Sequence, residues 1–211
     1  MSELSDGWAA VAGGWGAPPG EVERTGKSLV ARYAEPHRRY HTVAHLRAVL
    51  GHLFLDLAGD PPTVSLAAWY HDAVYDPRAA VGVNEAASAG LAVAELALLG
   101  EPSATLTGVV RLIGLTVDHL VPPDDSDGSV LCDADLAILG AEADVYARYC
   151  GAVREEFGWL SADEWRAGRS AVLRRLLDRP WLYGTARGRE RWERRARANL
   201  AAERARLLAQ S

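Results

Sequence analysis

Six ionisable residues at three places along the chain carry the groups that could do chemistry. His41 and His45 lie in Tyr40-His-Thr-Val-Ala-His45, His71 and Asp72 in Trp69-Tyr-His-Asp-Ala-Val-Tyr75, and Asp133 and Asp135 in Leu131-Cys-Asp-Ala-Asp-Leu136. Each piece lies in or beside an apolar stretch, where an ionisable side chain is costly unless it is paired or bound to a metal. Taken together they read as one divalent-metal site assembled from three helices, which makes an enzyme the first hypothesis. His41 and His45 are four apart, so on a helix that begins near Thr42 they share a face, His41 at its entrance and His45 one turn in. The zinc-protease pattern is excluded, because it needs Glu directly after the first His and Thr42 stands there.

His71 and Asp72 are surrounded by Leu66, Ala67, Ala68, Trp69, Ala73 and Val74. Adjacent helical residues project about 100° apart, so the two could straddle one ion. The competing reading is an Asp–His pair that satisfies itself in the core. Asp133 and Asp135 sit inside an apolar run that a solvated face does not explain. Two apart on a helix they point different ways, so only one is expected to reach the ion. Two His and two Asp offer mixed nitrogen and hard-oxygen ligation, suited to a divalent cation such as Mn²⁺, Fe²⁺, Mg²⁺, Ni²⁺, Co²⁺ or Zn²⁺. Such an ion lowers the pKa of water and makes it a nucleophile toward phosphorus.

The elements that must position these groups read as helices almost throughout. Residues 43–57 place Val43, Leu46, Val49, Leu50, Leu53, Phe54 and Leu57 at three- and four-residue spacing. Gly59-Asp-Pro-Pro62 breaks the chain, and Thr63 reads as the N-cap of a helix through Tyr75. Asn84 reads as the cap of the next helix, which runs to Leu99 and stops at Gly100. A further helix covers about 104–117, a polar loop 122–128, a short buried segment 130–140, and helices 142–157, 161–178 and 188–208. There is no strand-like alternation of useful length. The expected fold is all-α, one domain over 1–211 with core motifs in about 38–140 and the C-terminal helices of about 142–208 packed on it.

The chain has 211 residues, 49% of them apolar and 24% charged, as in ordinary globular proteins. Its start is acidic where a signal peptide would be basic and then apolar, and two cysteines, Cys132 and Cys150, make a disulfide framework improbable. No run approaches the roughly 20 apolar residues of a membrane span. The expected setting is cytoplasmic, with no membrane partner. The net charge of −5 hides an asymmetry: residues 1–165 hold 10 Lys+Arg against 24 Asp+Glu, and residues 166–211 hold 13 Arg against 4 Asp+Glu. Such a segment can attract phosphate or nucleic acid. Its arginines interleave with Ala, Leu and Glu at helical spacing, which favours an amphipathic helix pairing with an acidic body.

The order His45, His71-Asp72, Asp135 resembles the signature of the HD-domain superfamily of metal-dependent phosphohydrolases. More narrowly, Arg39-Tyr-His-x-x-x-His45, His71-Asp-x-Val-Tyr-Asp76, Asn84-Glu-x-x-Ser-Ala89, Thr116-x-x-His119 and Asp133-x-Asp-Leu-x-Ile-Leu-Gly140 resemble a bacterial branch of predicted HD phosphohydrolases. Trp165-x-x-Gly-Arg169 and Ala198-Asn-Leu200 fit that branch too, so the resemblance runs over about residues 25–205. The Tyr-His-x-x-x-His element is also similar to that of cyclic-nucleotide phosphodiesterases, which share the HD scaffold.

The resemblance implies an HD-type helical bundle with His45, His71, Asp72 and Asp135 as metal ligands and His41 as general acid. Asp135 is chosen over Asp133 because the family's last ligand stands in an Ala-Asp-Leu string, which leaves Asp133 in support. The phosphodiesterases' third histidine corresponds to Tyr75 here, which speaks against a second tightly held metal. Arg39, Asp76, Glu85, His119 and Asp133 are the remaining substrate or supporting candidates. Glu85 could orient a ligand histidine or be a first-turn carboxylate. His119 could face the cleft or mark a helix C-terminus, and Arg38 or Arg39 could pair with a phosphate.

The implied reaction is metal-assisted hydrolysis of a small phosphorylated substrate, with a nucleotide as the class implied by the resemblance alone. Asp72 or Asp135 would accept the proton from water. The alternative is a catalytically inactive nucleotide- or metal-binding regulatory module. Nucleic-acid processing through the Arg-rich C-terminus would show a steep loss of affinity with salt, and no recognisable nucleic-acid motif supports it.

Overall fold

Every regular element of the computed structural model, which describes residues 2–209, is helical, and no strand occurs among the described residues. Helices α1 (Ser2–Ala12) and α2 (Pro19–Tyr33) fill a stretch for which the sequence suggested no specific element. Helix α3 (Val43–His52) begins where expected, with Thr42 Oγ1 accepting from the Ala44 amide at 3.3 Å. It stops at His52 rather than residue 57, because Leu53 is extended and a separate 3₁₀ turn covers Leu55–Leu57.

Helix α4 (Pro61–Tyr70) is capped by Asp60 and not by Thr63. Pro61 and Pro62 occupy the first helical positions, where their missing N–H groups have no intrahelical acceptor to lose. Thr63 instead donates its hydroxyl to Asp60 at 2.6 Å. The helix ends at Tyr70 and not Tyr75, which puts His71 at its C-cap and Asp72 just beyond. Arg38 explains part of this early stop, because its guanidinium takes the carbonyls of Asp72 (2.8 Å) and Ala73 (3.2 Å).

Helix α5 (Val83–Leu98) is preceded by Gly82 at φ 82°, a left-handed conformation that glycine adopts without strain. Asn84 therefore does not cap it. Its side chain clasps Asp76, accepting from the Asp76 amide and donating to the Asp76 carbonyl, both at 3.0 Å. Helix α6 is Ser103–Leu115. Helix α7 (Ser126–Asp135) takes in the end of the expected loop, because Asp125 caps it through the Gly128 amide at 2.8 Å, and a 3₁₀ segment, Leu136–Gly140, continues it. Helices α8 (Ala143–Glu156) and α9 (Ala162–Leu177) follow. A short helical turn α10 (Ala186–Gly188), a π-helical turn Arg189–Glu193 and α11 (Arg194–Leu208) complete the chain.

Two apolar clusters hold these elements. The first joins α1 to α7 around Trp8, Leu29, Leu46, Leu66, Trp69 and Leu112. Helix α4 is its axis: Thr63 through Tyr70 are all buried, as expected of a helix apolar on every side. Each such Leu contributes about 1.5–3 kcal/mol by leaving water. The second cluster gathers Phe54, Leu139, Tyr146, Leu173, Tyr183 and Trp192 around the C-terminal helices. Helix α7 touches α3 and α4, and its 3₁₀ extension lies on α11. A Cβ at Gly140 would stand 2.5 Å from that of Trp192, so only glycine permits this approach.

Trp8 and Trp192 are core residues, and Trp165 is half-buried. Trp159 (48% exposed) and Trp181 (55%) are not core. The side chain of Trp15 lies outside the described set. Among the described residues no helix is long and apolar enough to cross a membrane.

Candidate metal centre

Three helix segments bring four side chains to one point: His45 from the first turn of α3, His71 and Asp72 from the end of α4, and Asp135 from the last residue of α7. His45 Nε2 lies 3.1 Å from His71 Nε2, 3.3 Å from Asp72 Oδ2 and 3.2 Å from Asp135 Oδ1. His71 Nε2 lies 3.1 Å from Asp72 Oδ2 and 3.7 Å from Asp135 Oδ1. Ligands at about 2.1 Å from one ion, in octahedral or tetrahedral geometry, stand about 3.0–3.4 Å apart. Four of the five spacings match such edges, His71–Asp135 is wider at 3.7 Å, and the group with the geometry to hold an ion is His45, His71 and Asp72.

The tautomer of His71 agrees. Its Nδ1 faces the Ala68 carbonyl at 2.9 Å, which can only accept, so Nδ1 bears the proton and Nε2 presents a lone pair inward. A backbone carbonyl, and not Glu85, therefore orients this imidazole. The Glu85 side chain makes no hydrogen bond or ion pair among the described residues. The side chains of His45 and His71 are 2% and 1% exposed, whereas those of Asp72, Asp135 and His41 are 16%, 15% and 22% exposed, so the carboxylates and His41 form the solvent-facing side. Burial alone would lower the pKa of His45, but the Asp135 and Asp72 carboxylates outweigh it and push it up to about 9. Burial opposes ionisation of Asp72 and Asp135, and the surrounding imidazoles nevertheless hold both below the usual carboxylate range.

His41 is held by a residue that the motifs do not contain. Glu156, the last residue of α8, is buried, and its Oε1 accepts from the amides of Arg39 (2.7 Å), Tyr40 (2.8 Å) and His41 (3.0 Å). Its Oε2 accepts from His41 Nδ1 at 2.7 Å and the Tyr75 hydroxyl at 2.8 Å. Burial would raise the Glu156 pKa, but these hydrogen bonds, that of His41 foremost, bring it down to about 2. His41 is thereby fixed with Nδ1–H toward Glu156, which leaves Nε2 for exchange with a ligand. Tyr75 serves this network. The sequence signal for Glu156 is its place on the stripe Tyr146, Tyr149, Val153, Glu156, which puts it on the inner face of α8.

His119 joins the centre, its Nε2 2.8 Å from Asp135 Oδ2. It adopts φ 56° after α6, and Arg179 holds that turn by donating to the carbonyls of His119 (3.1 Å) and Asp118 (2.5 Å). Asp133 points away from the centre. It accepts from the Gly184 amide (2.6 Å) and from the Thr185 amide (2.9 Å) and hydroxyl (2.6 Å), so it anchors the C-terminal segment to α7. Arg39 is exposed and turned to the Pro36 and Arg38 carbonyls and to Glu155, and Asp76 is tied to Asn84 and the Arg78 amide. Arg38 is buried and spent on backbone carbonyls, so it is not free to bind phosphate.

Comparison with protein-family models, curated proteins and solved structures returned no match to this chain.

Proposed function

We propose that this chain is a metal-dependent phosphohydrolase of the HD type, acting on a small phosphate ester, with a nucleotide as the substrate class. The observation that carries the reading is the convergence of His45, His71 and Asp72 at ligand spacing, with Asp135 3.2 Å from His45, beside a solvent-facing His41 that a buried carboxylate orients. A divalent ion bound by those four residues supplies Lewis acidity toward a phosphoryl oxygen and a lowered pKa for water. Asp72, held ionised, accepts the proton of the attacking water. His41 gives the Nε2 proton to the departing oxygen while its Nδ1–H stays on Glu156. His119 fixes Asp135 through Oδ2, which leaves Oδ1 facing the two histidines.

Several C-terminal arginines are engaged within the chain, as in Arg187 with Asp56, Arg197 with Glu193 and Arg169 with Glu203, which supports a small-molecule substrate over nucleic acid. Cys132 and Cys150 are both free, which fits a reducing, cytoplasmic setting. The test is phosphate release from a nucleotide panel with Mn²⁺, Mg²⁺ or Ni²⁺. Wild type turns over at least one member and Asp72→Ala does not; equal rates for the two refute the assignment. Tight nucleotide binding without turnover under every metal would instead mark a regulatory module.

A further inference from the structure

A groove of about 610 Å³ opens beside the centre, within the roughly 300–1,000 Å³ of small-ligand sites. It shares two residues with the catalytic apparatus, Tyr75 and Glu156, which hold His41. The Tyr75 ring lies 4.3 Å from that of His41, and the His37 ring lies parallel to Tyr75 farther out, at 6.4 Å. The opposite wall carries Trp159, about half exposed, with the Arg78 guanidinium 5.9 Å from its ring.

The carboxylates of this groove are already engaged. Glu156 accepts five hydrogen bonds, Asp76 accepts from the Arg78 amide, and Glu155 faces Arg39 at 3.6 Å. His37 Nε2 donates to the Tyr75 carbonyl at 2.7 Å, which leaves Nδ1 outward. Among the described residues the Arg78 guanidinium has no hydrogen-bond or ion-pair partner, and only the Trp159 ring lies under it. What the groove offers a ligand is therefore a half-exposed indole and, over its ring, a planar cation whose N–H groups have no acceptor among the described residues. Indole faces stack on flat rings, and guanidinium pairs with acceptor edges.

We propose that this groove is the subsite for the leaving group, and that Trp159 and Arg78 select a planar aromatic one of nucleoside size. The leaving-group role rests on the phosphohydrolase reading; the binding of a nucleoside does not. Phosphate held at the four-ligand centre would place its ester oxygen beside His41, and the organic part would pass over Tyr75 onto Trp159.

The experiment is calorimetric titration of the full chain, with Mn²⁺ present, using adenosine as the leaving group alone and ribose as its non-aromatic counterpart. Trp159→Leu and Arg78→Ala change exposed side chains, and unchanged melting temperatures will verify that both fold. Adenosine is expected to bind wild type and Asp72→Ala alike, and ribose neither. Trp159→Leu should weaken adenosine binding at least about fivefold, the low end for one stacked base, and Arg78→Ala should weaken it as well. Absence of saturable adenosine binding by wild type, equal affinity in Trp159→Leu, or loss of binding in Asp72→Ala would each overturn the groove assignment. Adenosine binding that survives in a chain releasing no phosphate under any metal would overturn the hydrolase reading and leave the nucleoside site standing.

Discussion

Replacing Glu156 by Gln tests the carboxylate that holds His41. In the folded chain this carboxyl lies at about 2, against an ordinary value of 4.5. A group depressed in that way stabilises the fold by about 3 kcal/mol above pH 4.5, and the contribution is lost as pH falls from about 4.5 to about 2. In Glu156→Gln the three backbone amides can keep an oxygen acceptor, but the new NH₂ then faces His41 Nδ1–H and the Tyr75 hydroxyl. Urea unfolding followed by tryptophan fluorescence should show wild type more stable by about 3 kcal/mol at pH 7, the gap shrinking to about 1 kcal/mol at pH 3. The difference between the two chains cancels the other carboxylates, which titrate in both. To accept the amide proton at Nδ1 His41 must give up its Nδ1 proton, and with it the doubly protonated form that donates from Nε2, so phosphate release should fall by about 10²–10⁴ while Mn²⁺ affinity stays within about threefold. A gap that is the same at pH 7 and pH 3, or absent at pH 7, would show that the Glu156 carboxylate does not hold His41 in this way.

Asp133 and Asp135 should separate by assay. Asp133→Ala removes three accepted hydrogen bonds and should cost about 3 kcal/mol of stability with Mn²⁺ affinity within about tenfold of wild type. Asp135→Ala should lower that affinity by more than about 100-fold, exceeding the loss typical of a supporting residue; calorimetry and urea unfolding read the two effects. Arg179→Ala releases the turn of His119 and should weaken Mn²⁺ binding by up to about tenfold with little change in melting temperature. Because His45 is protonated up to about pH 9 when no ion is bound, Mn²⁺ must displace that proton. Affinity should therefore rise with pH, by about tenfold per unit for one proton released, and level off near pH 9. Titrations in buffers of different ionisation enthalpy count the protons.

That His45, His71, Asp72 and one of Asp133 and Asp135 belong together is legible in the sequence because ionisable side chains inside apolar helices must find partners. The choice between Asp133 and Asp135 is not set by spacing. It depends on Gly184 and Thr185, some 50 residues onward, whose amides face Asp133. Glu156 stands on the inner stripe of α8, but its partners, the amides of Arg39, Tyr40 and His41, lie some 115 residues earlier and cannot be read from that stripe. Arg38 looks like a surface arginine, yet its planar fork meets carbonyls freed by the early end of α4. The fold class follows from three- and four-residue periodicity. The caps depart from expectation where a competing tertiary bond takes the side chain, as Asn84 goes to Asp76.

Crystals grown with Mn²⁺ and measured for anomalous scattering test the central claim most directly. One strong peak is expected, bounded by Nε2 of His45 and His71 and by oxygens of Asp72 and Asp135, each at about 2.0–2.3 Å. No peak there at saturating Mn²⁺, or an ion held by Asp133 in place of Asp135, would contradict it.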